Sequence, residues 1–493
     1  MPTLSVPLNQ RGKQQRVFER PTTRGPAPLP VSNPTRSFWI DSAPDANPLA
    51  KEGSTGALTE DADICIIGSG ITGVSTAYHL AKAVETDPSL GPLKVVIVEA
   101  RDFCSGATGR NGGHLAPNPF FDFDDSTASF GLDEAKKGIA IEHYTVDEIL
   151  KIVLAEGLED AVDLVLGGRT NIFLTEQERQ SALAAFNAAK DAGLDPSDVE
   201  WFSQEEVEKR YGASYPAVRH NGGNLWPLKL VTQFFNLAKK TPGFSLHLHT
   251  NTPVTAISSL ESGASRRWSV NTPRGSVSCS YVLHASNGYA SHLLPHLTGP
   301  EGIVPVRGQI IAVRADADAD AITTSGWTGN DHLEYWFPRP LKADEQEKNP
   351  LVILGGGREV AQRPFEFDQA DDSELNEDVG RVLRDFLPGV FPGKFEVGKE
   401  PEMEWTGIMG FTKIGDPFVG PVLNPDNPAD NSYQGQFISA GYSGHGMPRA
   451  FACAEAVAGM IIAELGHKAW APPAWLPVHY LTTNRTQGGV ARA

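Results

Sequence analysis

Short apolar runs between glycine turns mark the strands of this chain, and alanine-rich stretches with apolar residues at helical spacing mark its helices. Residues 63–68, Asp-Ile-Cys-Ile-Ile-Gly, form a brief isoleucine-rich run that predicts a buried strand. The run enters Gly68, Gly70 and Gly73 in G-x-G-x-x-G spacing, and VSTAYHLAKAV then predicts a helix. A second strand, KVVIVE at 94–99, completes a βαβ unit and ends in Glu99. FSLHLHTNTPVTAI (244–257) alternates as a half-buried strand does, which predicts His247 and His249 on one exposed face. WSVNTPRGSVSCSYVLHASNG (268–288) predicts a hairpin turning at 273–275. QFISAGYSGHGMPRAFACAEAVAGMIIAELG (436–466) predicts a strand that passes through Gly441, Gly444 and Gly446 into an alanine-rich helix. LVILGGGREV (351–360) imitates the first turn, but no helical period follows it and Pro364 interrupts the segment. No second nucleotide fold is therefore predicted, which speaks against a separate NAD(P)H domain.

The βαβ unit carries recognisable chemistry. Its first glycine makes the tight turn, its second lets the backbone approach a pyrophosphate, and its third lets helix and strand pack closely. The helix start, with Ile71 and Thr72, offers unpaired N–H groups and a positive dipole end to the anion. Glu99, followed by Ala100 and Arg101, stands where a carboxylate accepts the hydroxyl hydrogens of an adenosine ribose, and an acid there argues against a 2′-phosphate. It comes later than the usual ~20 residues because ETDPSLGP lengthens the crossover. The unit binds a dinucleotide on this reading, without saying which.

Composition narrows the class. At 493 residues the chain predicts two or three domains, and its net charge of −18 with no basic patch disfavours nucleic acid and anionic lipid. No apolar run is long enough for a membrane span, and the N-terminus lacks a secretory pattern, so an intracellular, cytoplasmic protein is expected. The first 36 residues hold Arg11, Lys13, Arg16, Arg20, Arg24 and Arg36 among prolines that spoil an amphipathic presequence. They are expected to form a mobile arm, with SFWI (37–40) docking on the globular body. A mitochondrial destination stays open, and the closing VARA bears a loose likeness to a peroxisomal address. Cys65, Cys104, Cys279 and Cys453 are too scattered for a disulfide framework or a zinc site and are expected to be packing residues.

RDFCSGATGRNGGH follows Glu99 directly, with glycines where another helix would be usual. A flat tricyclic ring lying against main chain requires such bare backbone. Here the sequence resembles the FAD-dependent oxidoreductases of the D-amino-acid oxidase, glycine oxidase and sarcosine oxidase family, nearest its gamma-glutamylputrescine oxidase branch. That resemblance implies flavin-domain contacts from Ser105, Gly106, Ala107, Thr108, Arg110, Asn111, Gly112 and Gly113, with His114 beside the ring. Relatives carry glutamine where this chain has His114, and a loop-bracing role for Arg110 is the alternative to a flavin contact. The string GYSGHGM matches a second family loop, so Tyr442, Ser443, Gly444, His445, Gly446 and Met447 join Gly441 as cofactor contacts. A helix entered there would favour a reduced flavin's negative edge. The resemblance also places Val254 at adenine and Gly288 near the pyrophosphate.

It implies α/β plus α+β architecture: a discontinuous Rossmann-like FAD-binding domain with a mixed-sheet substrate domain. The expected boundaries are an N-terminal arm at 1–56, FAD-binding parts at 57–120, 226–300 and 432–470, substrate parts at 121–225 and 301–431, and a tail at 471–493. The implied function is oxidation of a C–N bond in an amine or amino acid by hydride transfer to FAD, with imine release and reoxidation by oxygen to hydrogen peroxide. A dehydrogenase with another acceptor and a non-catalytic flavin-binding protein are the alternatives. No cysteine stands among residues 408–410 and no histidine within 104–110, so noncovalent FAD is expected. His114, Arg358 and His445 are the candidate catalytic residues. Arg307, Arg339 and Arg358 are candidates for binding a substrate carboxylate, and Tyr335, Trp336 and Trp405 for the pocket walls.

Overall fold

The computed structural model describes residues 4–19, 25–261, 263–341, 347–486 and 489–490, so Arg20, Arg24 and the closing Ala-Arg-Ala lie outside the described residues. Five strands run parallel in the order Phe244–His249, Leu93–Val98, Asp61–Ile67, Gly275–His284 and Gln436–Ala440. Their apolar runs follow from burial on both faces. Ile64 and Ile66 face helices Ile71–Thr86, Pro227–Lys239 and Ala450–Leu465, while Cys65 and Ile67 face the opposite layer with Val254 and Trp268. All four cysteines are buried and free.

The hairpin of Trp268–Thr272 and Gly275–His284 turns where the residues predict, with Thr272 opposite Gly275. His249 departs from the sequence reading. It is buried, because residues 53–59 cross the strand end and the backbone N–H of Thr59 donates to His249 Nε2 at 3.1 Å. Phe418–Pro421 pairs antiparallel with Gln436–Ala440, so the first sheet takes a strand from before the boundary expected at 431. Hydrogen bonding between two strands that follow each other across residues 422–435 decides this, whereas composition does not change there.

The second sheet runs Met403–Phe411, Val304–Arg314, Leu351–Gly356, Glu334–Pro338, Gly326–Gly329, Arg169–Ile172, Ala217–His220 and Glu200–Phe202. Neighbours are antiparallel except Gly326–Gly329 with Arg169–Ile172, which makes the sheet mixed. Leu351–Gly356, the run that imitates a dinucleotide turn, is an interior strand of this sheet. Helix Glu377–Val390 covers one face through Val379, Leu383 and Phe386. The other face is turned toward the dinucleotide domain and forms part of a shared cavity.

The described part of the arm is packed on the body, contrary to the expectation of a mobile segment. Val6 joins the core beneath helix Glu377–Val390, Val17 is buried beside Val304 and Phe365, and Phe18 meets Phe367 edge-on at 4.8 Å. Apolar residues between the prolines supply this burial, a stabilisation that charge counting overlooks. SFWI docks as expected. Trp39 is fully buried against Trp226 and Phe337, and the Trp226 indole donates to the Trp39 carbonyl at 2.9 Å. Among the described residues no helix is long and apolar enough to cross a membrane, and no cluster of three or more potential metal ligands occurs.

Candidate active site

A cavity of about 1870 Å³ is lined from both sheets. That is about twice the upper end of the roughly 300–1000 Å³ typical of small-molecule pockets. It has room for a dinucleotide and a second ligand. Gly68, Gly70, Ile71, Thr72, Glu99, Ala100, Arg101 and Val254 reach it from the dinucleotide domain. So do Gly106, Ala107, Thr108, Arg110, Asn111, Gly112 and His114, while Tyr442, Ser443, Gly444, His445, Gly446 and Met447 reach it from the second loop. Arg358 enters from the mixed sheet. Gly73, Ser105, Gly113, Gly288 and Gly441 lie behind the residues that line the cavity. They serve the wall: a Cβ on Gly288, for instance, would sit 2.6 Å from the Met409 carbonyl oxygen.

The dinucleotide end is built as its residues require. Helix Ile71–Thr86 starts at Gly70 with no cap from that residue, and Thr108 Oγ1 accepts from the Ile71 N–H at 3.1 Å. Glu99 accepts from the Ser69 N–H at 3.0 Å, the Ser69 hydroxyl at 2.7 Å and the Arg101 N–H at 3.0 Å. A carboxylate has about four acceptor positions, so the held Glu99 keeps capacity for a hydroxyl in the cavity. Replacing Thr108 by valine preserves shape but orphans the Ile71 N–H. The expected cost is ~1 kcal/mol of stability with weaker cofactor retention, read from melting temperature and flavin content.

The bare backbone of 105–114 serves the protein's own packing as much as an open surface. A Cβ on Gly112 would lie 2.4 Å from the Tyr335 ring, whereas a Cβ on Gly106 would meet nothing within 4 Å. Gly106 and Gly112 both line the cavity, so one leaves space for a ligand and the other admits Tyr335. Arg110 braces the loop: its guanidinium donates to the carbonyls of Ser105 at 2.8 Å, Thr35 at 2.8 Å and Thr406 at 2.9 Å. Arg101 pairs bidentately with buried Asp372 at 2.8 and 3.0 Å.

His114 Nδ1 donates to Asn224 Oδ1 at 2.7 Å, which leaves Nε2 as a buried acceptor without a protein partner. Burial, helped by the charge of Arg169, holds the imidazole well below its ordinary pKa and so neutral. His445 has a different setting, with Nε2 2.9 Å from Glu142. Glu142 also accepts from Arg449 at 2.7 Å, Arg449 reaches Asp416 at 2.9 Å, and Asp416 meets His479 at 3.0 Å. Burial raises the Glu142 pKa, yet His445 and Arg449 outweigh it and hold the carboxyl down at about 2.

The arginines separate by partner. Arg307 donates to Glu366 at 2.6 Å, and Arg339 pairs with Asp163 at 2.8 Å over the Trp226 ring, so both are structural. Arg358 lines the cavity with Nη1 buried and unpartnered, 5.3 Å from the guanidinium carbon to the Phe411 ring centre. Tyr335 lines the cavity, whereas strand alternation turns Trp336 into the core against Trp327. Trp405 is also fully buried and donates to the Arg110 carbonyl at 2.9 Å. Sequence reasoning missed Arg169, a cavity residue whose pKa burial lowers to about 10. The Gly-Gly pair before it was a signal, because Gly167 packs on the Thr324 carbonyl and Gly168 has φ +75°.

A parallel sheet with a glycine turn, an acid lining the cavity after the second strand, and a mixed sheet closing that cavity define the class of a dinucleotide-dependent enzyme. The chain belongs to the FAD dependent oxidoreductase family, whose model matches residues 63–460. It is 27% identical over 416 residues to gamma-glutamylputrescine oxidoreductase of Escherichia coli strain K12, covering 82% of this chain and 83% of that protein. It is 24% identical over 420 residues to glycine oxidase of Bacillus licheniformis, covering 83% of this chain and 95% of that protein. The crystal structure of glycine oxidase from Geobacillus kaustophilus shares the fold, with TM-score 0.61 at 19% identity over 84% of this chain and 97% of that one. The residues present fit FAD: an open helix start at Gly70, a held Glu99 with acceptor capacity, and Gly106 with no side chain to obstruct a ring.

Proposed function

We propose that the protein oxidises the carbon–nitrogen bond of an amine or amino acid to an imine, with dioxygen as final electron acceptor and hydrogen peroxide as the second product. The observation that carries this reading is the cavity shared by the dinucleotide turn with His114 on one side and by Arg169 and Tyr335 of the opposing wall on the other. The names of similar proteins, gamma-glutamylputrescine oxidoreductase and glycine oxidase, support amine and amino acid substrates. When bound, FAD supplies the two-electron acceptor. Gly70, Thr72 and Glu99 would hold its pyrophosphate and ribose, and Gly106 with the 442–447 loop its ring end.

The chain's own work is to bind the amine, hold it, and favour its uncharged form. An ammonium nitrogen with pKa ~10 has no lone pair to assist loss of hydride from the neighbouring carbon. The proton leaves to water, and His114 Nε2, kept neutral with its Nδ1–H fixed on Asn224, accepts a hydrogen bond from the uncharged amine. The field of Arg169 disfavours a second positive charge beside it and pushes the amine in the same direction. The imine then hydrolyses in water.

Noncovalent attachment is part of this reading. Acid precipitation of the yellow protein is expected to release essentially all flavin into the supernatant. An anaerobic amine panel tests the reaction: one amine class bleaches the visible absorbance, and readmitted air restores it with about one peroxide per amine consumed. Bleaching without recovery in air would replace oxygen by another acceptor. A flavin that no amine reduces would overturn the reaction itself.

A further inference from the structure

Arginines drawn largely out of bulk water ordinarily have a carboxylate or several carbonyls against them. Cavity arginines here follow that rule, with Arg101 on Asp372, Arg449 on Glu142 and Asp416, and Arg485 on the carbonyls of Asp416 and Pro417. Arg169 and Arg358 do not. Among the described residues neither makes an ion pair or a side-chain hydrogen bond, and both line the cavity. They come from different strand ends of the mixed sheet, Arg169 opening Arg169–Ile172 and Arg358 following Leu351–Gly356.

Tyr335 connects the two. Its ring lies over the bare backbone of Gly112 and Gly355, where Cβ atoms would come within 2.4 and 2.5 Å, and its phenol feels the charge of both arginines. The carboxyls of Glu334 and Glu359 stand near Arg358 but not against it. Burial raises both, and their hydrogen bonds come from the Gly357 N–H at 2.9 Å and the Asn330 amide at 3.4 Å rather than from the guanidinium. The helix start that attracts a pyrophosphate belongs to the other sheet, at Gly70 and Ile71.

We infer that the substrate carries two carboxylates, one held by Arg169 and the other by Arg358, with the Tyr335 hydroxyl donating between them. This rests on the amine-oxidation reading and narrows its substrate class to amino dicarboxylates. A guanidinium fork holds a carboxylate bidentately, and hydrogen bonds to charged groups are the strong ones. Loss of one carboxylate or one guanidinium should therefore weaken binding by about 10- to 100-fold.

The test is calorimetric titration of the FAD-loaded full chain with glutarate, which cannot be oxidised as an amine, against butyrate and 1,5-diaminopentane. Glutarate is expected to bind one per chain and at least about tenfold tighter than butyrate, with no heat from the diamine. Arg169→Met and Arg358→Met should each reduce glutarate to the butyrate level while flavin content stays that of the parent. If Arg169→Met does not fold, Arg169→Lys keeps the charge, removes the fork and is expected to lose about tenfold. Equal affinity for glutarate and butyrate, or glutarate binding indifferent to these substitutions, would overturn the clamp. Glutarate binding in a protein whose flavin no amine bleaches would keep the clamp and sink the oxidation reading. Bleaching by amines without any glutarate preference would do the reverse.

Discussion

Gly73→Val is expected to give a protein without flavin and with stability lowered by ~3 kcal/mol or more. A Cβ at this position would sit 2.0 Å from the Gly68 carbonyl oxygen and 3.1 Å from Ile66 Cγ2. Gly68 cannot retreat, because its φ of +108° already presses the turn against the Ala285 carbonyl. The helix must therefore lift from the sheet, and its N–H groups leave the place where a pyrophosphate would meet them. The ratio of visible to protein absorbance after gel filtration, with a melting curve, measures both effects. Gly106→Ala is the control, since a Cβ there meets nothing within 4 Å of protein. It should fold as the parent does and report on space for the ring alone. Full flavin content in Gly73→Val would show that this helix–strand contact does not support the cofactor.

Arg449→Met should destabilise the protein by up to about 3–5 kcal/mol, because it removes the guanidinium shared by buried Glu142 and half-buried Asp416 and leaves them only their histidine and N–H partners. Arg449 lies between Glu142 at 2.7 Å and Asp416 at 2.9 Å, and Glu142 is 1% exposed. Denaturant midpoints for the parent and variant check this. The same carboxylate gives a pH dependence with a definite sign. Its folded pKa of about 2 lies below the unfolded value near 4.5 despite the cost of burial, owing to His445 and Arg449. The stabilisation is fully present above about pH 4.5 and is lost as pH falls toward 2. It amounts to ~3 kcal/mol at most. Glu142→Gln should lower the melting temperature near neutrality and flatten its fall between about pH 5 and 2. A parent and variant with parallel acid curves would remove Glu142 from the account of acid stability.

The dinucleotide half was legible because its signals are local. Gly68, Gly70 and Gly73 act on backbone a few residues away, and Ile64 and Ile66 separate from Cys65 and Ile67 by strand alternation alone. Family resemblance extended that reading to the loop at 105–114 and to Tyr442–Met447, most of which do line the cavity. Reading failed where a residue's role depends on a distant partner. Arg307 and Arg339 looked as available as Arg358 until Glu366 and Asp163 were found against them. Trp336 and Trp405 looked like pocket walls until the pleat turned Trp336 against Trp327 and the Arg110 carbonyl took the Trp405 indole. The packed arm and the buried His249 depend likewise on contacts between remote segments.

By itself, then, the sequence determined a dinucleotide turn, its acid, the parallel strands around it and the family of flavoenzymes to which they belong. Those features arise from backbone geometry and hydrophobic period, which act within a few residues. Only the tertiary structure decided which charges are spent and which are free. Arg101 meets Asp372 across 271 positions and Arg449 meets Glu142 across 307, while Arg169 and Arg358 are left facing a common cavity. Charge pairing acts through space at a few ångströms, and chain order carries no record of that distance until the two sheets close on each other.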